Sequence, residues 1–165
     1  MSSYDEPIEA LERAIGDPHF GLPEPVFLFI SRTTPLINVD LLVQHEQLGT
    51  LLTWRDDDHY GSGWHVPGGI IRYKESAADR VRAVAHTELG ADVEFEPAPM
   101  FVLESIAPER ERGHSYSLLY LCRLRTTPDE SRRANTNPPR SGAWSWHASV
   151  PPALLPVHRP YAQFF

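Results

Sequence analysis

The sequence predicts an α/β fold, in the broad sense that includes α+β proteins, and two observations lead to this prediction. Apolar segments of strand length occur on both sides of residues 76–89. That segment repeats apolar side chains at helical spacing, so one face can pack against a sheet; they are Ala77, Ala78, Val81, Ala85 and Leu89. A chain of 165 residues suits a single domain that buries a proper core.

The N-terminal region is predicted to begin with a helix. Residues near Glu6 to Ile15 carry one apolar stripe, and Gly16 and Pro18 are expected to end the helix. Val26 to Ser31 is a short mixture of aromatic and aliphatic residues, which fits either a helix or a strand.

Strands and one longer helix are predicted for the middle of the chain. Leu36 to His45 is strongly apolar and predicts a strand, with Leu48 to Trp54 as its partner. Arg55 to Gly63 is charged and contains glycine, which predicts a loop. Trp64 to Val66 leads into a Gly-Gly turn, and Ser76 to Leu89 predicts the helix.

The C-terminal half is predicted to add the remaining strands. They fall at Val93 to Phe95, Phe101 to Ile106, Tyr116 to Arg125 and Ala143 to His147. Thr126 to Ser141 is polar and rich in proline and arginine, which predicts a loop. From Val150 onward, prolines interrupt the chain up to an aromatic tail.

Composition excludes several classes of function. A formal charge of -7 argues against nonspecific binding of nucleic acid through a basic face. The single Cys122 excludes an internal disulfide and fits a reducing cytoplasm, where we expect this protein. No apolar stretch is long enough to span a bilayer, and the acidic N-terminus lacks the features of a signal peptide.

One spacing pattern carries chemistry. Val66-Pro67-Gly68-Gly69 is followed, after five residues, by Glu75, and then by a helical segment that contains Glu88. A Gly-Gly pair lets the backbone approach a diphosphate closely, because no Cβ stands in the way. A helix carboxylate suits magnesium, which takes oxygen ligands and often bridges substrate phosphates. Taken singly, the glycines fit an ordinary turn, and the glutamates fit a helix terminus and a solvated helix face.

This pattern resembles the Nudix box, G-x5-E-x7-R-E-U-x-E-E-x-G-U, in which U is a bulky aliphatic residue. The glycines and two glutamates match, whereas Ala83, Val84 and Thr87 replace the arginine and two later glutamates. The resemblance implies an α/β/α sandwich with a central mixed sheet and Mg²⁺ as cofactor. It also implies one Nudix domain over residues 21–165, preceded by a helical extension over residues 1–20.

Three segments resemble one subfamily, the GDP-mannose mannosyl hydrolases. They are Arg32 to Asp40, Gly63 to Gly69 and Val157 to Tyr161. That subfamily has a shortened box without the usual glutamate pair. The resemblance implies a homodimer that hydrolyses a nucleoside diphosphate sugar, GDP-mannose above all.

The resemblance also assigns residues to roles. The Gly69 carbonyl and the Glu88 carboxylate match the magnesium ligands, and Arg55 matches an arginine that assists departure of the diphosphate. A guanidinium suits that role because it stays charged and binds phosphate oxygens in a bidentate manner. Asp40 matches a carboxylate near the sugar hydroxyls. Alternatively, Arg55 is a surface residue beside three aspartates and Asp40 a strand-end residue.

Two further assignments concern the nucleobase and the C-terminal loop. Leu22 and Phe27 match a segment that contacts the nucleobase from the partner subunit, although core packing explains them better on sequence alone. The family's glutamine metal ligand and histidine base fall at Arg140 and Ser141. An arginine cannot ligate magnesium, so Arg140 is assigned to substrate binding.

The general base is therefore sought among nearby histidines, because imidazole titrates in the right range. His147 is the assigned candidate, with His114 and His158 as alternatives. If a base reaches the sugar, water attacks the anomeric carbon and releases GDP and sugar. If none does, water attacks phosphorus and yields a nucleotide and a sugar phosphate. A third alternative is a degenerate Nudix domain that binds a nucleotide sugar without hydrolysing it.

Overall fold

The computed structural model describes residues 3–165, in which eight strands form one sheet. The strands are β1 (Leu36–His45), β2 (Gly49–Asp57), β3 (Gly61–His65), β4 (Gly68–Ile70), β5 (Val93–Phe95), β6 (Phe101–Ile106), β7 (His114–Leu124) and β8 (Trp144–His147). The helices are α1 (Asp5–Ile15), α2 (Glu24–Thr33) and α3 (Ala77–Val84), the last continuing as a π turn over Ala85–Leu89. Short 3₁₀ segments occupy Pro18–Phe20, Glu130–Arg132 and Pro156–Phe164.

The sheet is mixed and divides along one edge of β1. Its main path runs β3-β2-β1-β7-β5, and only the β1–β7 pair is parallel within the described residues. Because β7 occupies one edge of β1, the other edge is shared: residues 43–45 pair with β2, and residues 38–40 pair with β4. Strand β2 then turns away to pair with β3 and β8. This division opens a space between the second half of β2 and β4.

The core lies on both faces of the sheet. On one face, Val39 and Leu41 of β1 pack with Val81 and Leu89 from α3 and its π turn. On the opposite face, a second cluster joins strand residues to the segment after β8; it contains Leu42, Leu52, Leu119, Leu154 and Tyr161. The sheet is therefore covered on both faces, which confirms the predicted layered α/β architecture.

The structure settles one open alternative and corrects two predictions. Val26 to Ser31 lies within helix α2. The loop predicted for Arg55 to Gly63 is wrong, because β2 and β3 form a hairpin there with its turn at residues 58–60. The Gly-Gly turn is also wrong, because Gly68 and Gly69 lie in β4 without positive φ.

Helix α1 of the predicted extension forms as expected, and none of its residues is buried. No helix within residues 3–165 combines the length and apolar character needed to cross a membrane.

Candidate active site

Two cavities adjoin the second half of β2 and meet at Arg55 and His65. The larger, which we call the outer cavity, has a volume of about 570 Å³ and is lined in part by Glu88, Arg132 and Arg140. The smaller, which we call the polar cavity, has a volume of about 190 Å³. Its lining includes polar groups from four parts of the chain, namely Asn38, Asp40, Gly68, Gly69, Ser117 and His158.

Glu88 is held at the end of the α3 π turn by two hydrogen bonds. Its Oε1 accepts the backbone N–H of Gly68 at 3.1 Å, and its Oε2 lies 2.9 Å from the hydroxyl of Thr53. Burial removes water from the carboxylate and raises its pKa to about 7, although both hydrogen bonds and the charge of Arg55 oppose this shift. A cation bound beside Glu88 would oppose this shift and favour the ionised carboxylate.

His65 continues this network on the other side of Thr53. Its Nδ1 lies 2.9 Å from the carbonyl of Val66, and its Nε2 lies 3.0 Å from the Thr53 hydroxyl. Burial lowers the pKa of His65 to about 3, so the ring is neutral and donates from Nδ1 to the carbonyl. Thr53 then has one proton for two acceptors. That proton goes to Oε2 of Glu88, in agreement with the lowering effect of this hydrogen bond on the pKa of Glu88.

Arg55 lines both cavities and is their shared cation. It follows Thr53 by two positions on β2, so both side chains lie on the same face of the strand. Its Nε lies 3.4 Å from Oδ2 of Asp57, and its guanidinium lies 5.0 Å from the ring centroid of Tyr60. These contacts hold the positive charge in place without enclosing it, because the side chain remains 31% exposed.

Asp40 is a buried carboxylate at the wall of the polar cavity. Its Oδ2 accepts the phenolic hydroxyl of Tyr161 at 2.6 Å, and burial raises its pKa to about 6. Gly68 faces it directly, and a Cβ added at Gly68 would overlap Oδ1 of Asp40. A Cβ at Gly69 would lie 2.9 Å from Cγ2 of Val84. Because Gly68 and Gly69 have no Cβ, β4 can lie close to Asp40 and to α3.

Several residues predicted from the sequence lie elsewhere. Glu75 pairs with Arg80 at 2.7 Å and accepts the backbone N–H of Arg72 at 2.9 Å, outside the two cavities. His147 lines neither cavity; its ring centroid lies 4.5 Å from that of Trp64, and burial lowers its pKa. The structure thus brings together the predicted residues Arg55, Glu88, Asp40, Gly68, Gly69 and Arg140, and it leaves Glu75 and His147 apart from them.

Leu22 and Phe27 line a third cavity of about 810 Å³, which is mostly apolar and adjoins the polar cavity through Leu36 and Ile70. Arg140 is exposed at the outer cavity, and within residues 3–165 its guanidinium has no hydrogen-bonding or ion-pair partner. It is therefore available to an anion.

Sequence reasoning missed Thr53, His65 and Tyr161, which bond the carboxyl groups of Glu88 and Asp40 or extend their network. A signal existed for Thr53, because residues two apart on a strand share a face and Arg55 was already a candidate. No local signal connects Tyr161 to Asp40, which lies 121 positions earlier in the chain.

The donor groups fit magnesium only in a particular way. Among residues 3–165, no group of three or more His, Cys, Asp or Glu side chains is arranged to hold a metal ion. Magnesium is commonly bound by one or two carboxylates, with substrate phosphates completing its coordination. Glu88 and a backbone carbonyl therefore fit an ion that arrives together with a diphosphate.

Comparison with known sequences gives one partial relative. No family model matches the chain. The low-salt glycan biosynthesis protein Agl8 of Haloferax volcanii is 37% identical over 79 residues, which are 48% of this chain. The match spans 50% of the length of that relative.

Comparison with solved structures gives more extensive matches. A MutT Nudix hydrolase from Burkholderia pseudomallei has a TM-score of 0.62 at 22% identity, over 79% of this chain and 97% of that one. A UDP-X diphosphatase has a TM-score of 0.58 at 16% identity, over 96% of this chain and 75% of that one. An ADP-ribose pyrophosphatase from Streptococcus suis has a TM-score of 0.52 at 21% identity, over 79% and 86%. At these identities the likeness establishes a common fold.

Proposed function

We propose that this chain, which has the Nudix fold, is a magnesium-dependent hydrolase of a nucleoside diphosphate sugar. The observation that carries the proposal is the meeting of two chemically different cavities at Arg55. On one side, Arg55 and Arg140 suit phosphate oxygens. On the other side, a cavity of about 190 Å³ presents Asp40 and several neutral hydrogen-bonding groups beside Arg55 and Arg112, and these groups suit the hydroxyls of one sugar.

The residues divide the work as follows. Arg55 binds the diphosphate and stabilises the charge that develops on it, and Arg140 binds a phosphate oxygen at the outer cavity. Asp40 accepts a hydrogen bond from the sugar. Leu22 and Phe27 offer apolar contact to the nucleobase, here from the same chain. Glu88 and the Gly69 carbonyl would hold magnesium, which neutralises diphosphate charge when bound.

GDP-mannose is the proposed substrate, because three segments of the chain resemble GDP-mannose mannosyl hydrolases. The relative named for glycan biosynthesis agrees with a substrate that carries a sugar. His147 remains the base proposed from the sequence. Since it contacts Trp64 outside both cavities, attack at the anomeric carbon through His147 requires the end of β8 to approach the substrate.

Product analysis tests the reaction. The protein is incubated with magnesium and GDP-mannose, and in parallel with other nucleotide sugars, and the products are identified by phosphorus and proton NMR. Free sugar with intact GDP would establish attack at carbon. GMP with mannose 1-phosphate would establish attack at phosphorus. Absence of products from every substrate would refute the hydrolase proposal.

A second candidate function is a nucleotide-sugar binding module, and the sparse donor set favours it. Calorimetric titration of GDP-mannose, with and without magnesium, separates the two functions when it is combined with the turnover assay. Tight binding without products would establish the module. The proposal also places the protein in the cytoplasm as a homodimer, and sedimentation equilibrium tests the dimer.

A further inference from the structure

His158 is held in one orientation at the wall of the polar cavity. It lies in the 3₁₀ segment Pro156–Phe164, and its Nδ1 accepts the backbone N–H of Val66 at 2.9 Å. Its ring also packs against those of His65 and Tyr161, with centroids 5.9 Å and 5.5 Å away. These contacts fix both the position of the ring and the direction in which each nitrogen points.

The bond from Val66 also fixes the tautomer. A nitrogen that accepts an N–H carries no proton, so the proton of neutral His158 is on Nε2. Protonation at Nδ1 would break this bond. Burial and the charge of Arg55 lower the pKa of His158 to about 3, which further favours the neutral ring.

The Nε2–H of His158 has no hydrogen-bond partner within residues 3–165. Some polar side-chain atoms of those residues are both shielded from water and without a partner, and Nε2 of His158 is not one of them. The donor is therefore accessible. The same cavity wall presents Asp40, an acceptor, so His158 and Asp40 add a fixed donor and a fixed acceptor to the other polar groups of the cavity.

We propose that His158 is a fixed neutral donor that binds a sugar hydroxyl through Nε2–H, while Asp40 accepts from a neighbouring hydroxyl. This inference rests on the proposed function and assigns the polar cavity to a sugar with adjacent free hydroxyls. It also gives His158 a binding role, since neither nitrogen has a free lone pair with which to take a proton. A neutral N–H suits a hydroxyl, whereas the guanidinium groups of the outer cavity suit phosphate.

Two substitutions separate the two nitrogens. In His158→Asn, Oδ1 takes the place of Nδ1 and still accepts from Val66, but the donor to the cavity is lost. In His158→Gln, the amide nitrogen takes the place of Nε2 and restores the donor, but the acceptor for Val66 is lost. We expect His158→Asn to fold normally and to raise KM for GDP-mannose about tenfold with little change in kcat. We expect His158→Gln to be less stable but to keep a KM closer to that of the wild type.

The tautomer is measured independently of turnover. Two-bond ¹⁵N–¹H NMR spectra of the whole protein should show His158 as the neutral Nε2–H form between pH 6 and 8. Adding GDP-mannose should shift Nε2, whereas adding GDP alone should leave it unchanged. An Nδ1–H tautomer, or an unchanged KM in His158→Asn, would overturn the inference. Loss of the proposed hydrolysis alone would appear differently, as a shifted Nε2 resonance without products.

Discussion

Gly68 donates its backbone N–H to Oε1 of Glu88 at 3.1 Å while its Cα lies directly against the carboxyl group of Asp40. One glycine thus contacts both the buried Asp40 and the half-buried Glu88. The contact to Glu88 depends on the backbone, and the contact to Asp40 depends on the missing side chain. The predictions below test the groups around this point separately.

Replacing Glu88 by Gln should lower the rate of nucleotide-sugar hydrolysis about 100-fold or more, because the amide cannot supply a negative oxygen to magnesium. The amide oxygen still accepts from Gly68 or Thr53, so the fold should be retained. Initial rates at several magnesium concentrations, with circular dichroism for the fold, check this prediction. Undiminished activity in a folded Glu88→Gln protein would remove Glu88 from the metal site.

Replacing Glu75 by Gln should affect stability more than substrate binding. Its carboxylate is 16% exposed and bonds both Arg80 and the backbone N–H of Arg72. Weakening this pair should lower the free energy of unfolding by about 1–3 kcal/mol, measured by urea denaturation. Glu9→Gln is the control, because its exposed pair with Arg13 should contribute only a few tenths of a kcal/mol. Equal losses in both variants would contradict the assignment.

Replacing Arg55 by Lys should reduce turnover about 100-fold, because an ammonium keeps the charge but loses the bidentate contact with the diphosphate. Arg110→Lys is a matched control. Both guanidinium groups lie over the ring of Tyr60, at 5.0 and 5.4 Å, but Arg110 lines neither of the two cavities. Steady-state kinetics of the two variants should therefore differ. A similar loss in Arg110→Lys would show that the Tyr60 contact, and not the cavity, matters.

Stability of the protein without metal or nucleotide should depend on pH with opposing contributions. Burial raises the pKa of Asp40 to about 6 and that of Glu88 to about 7. Their contribution to the free energy of unfolding is therefore full at low pH and is lost as the pH rises through these pKa values. The pKa of His65 and that of His158 are lowered to about 3, so their contribution is full above 6.5 and is lost as the pH falls.

Between pH 4.5, the ordinary pKa of a glutamate, and pH 6.5, the ordinary pKa of a histidine, the contributions of the carboxyl groups and of the histidines largely cancel. Above pH 6.5 the contribution of Glu88 is still being lost, so the free energy of unfolding should fall until about pH 8. Urea denaturation in EDTA at several pH values checks this, with Glu88→Gln as the comparison. If that variant declined as steeply as the wild type above pH 6.5, Glu88 would not be the responsible group.

Local sequence patterns predicted the strands that consist of largely apolar segments. Leu36–His45 and Phe101–Ile106 begin and end where their apolar patterns do. The hairpin at Arg55 to Gly63 was missed because its charged residues resemble those of a loop. Its strand character comes from pairing with Gly61–His65 and from β2 being anchored to β1, which local composition does not show.

The candidate site was predictable where it follows a spacing and not where it depends on distant partners. The glycine pair and Glu88 fall at motif positions, and the structure places them together. Thr53 bonds Glu88 from 35 positions away, and this contact exists only because β2 diverges from β4. The role of His147 came from its place in the chain alone and stays a prediction.

The short segment Val66 to Gly68 has a consequence for how this site can change. Val66 donates to His158, the Pro67 carbonyl accepts from Leu41 at 2.8 Å, and Gly68 donates to Glu88. Two side chains and the neighbouring strand thus take their positions from one alternating run of backbone groups. Insertion or deletion of a single residue here would reverse that alternation and disconnect all of them together. Side-chain substitutions can change one group of the site at a time, whereas a change in the length of this backbone segment would affect all of its contacts at once.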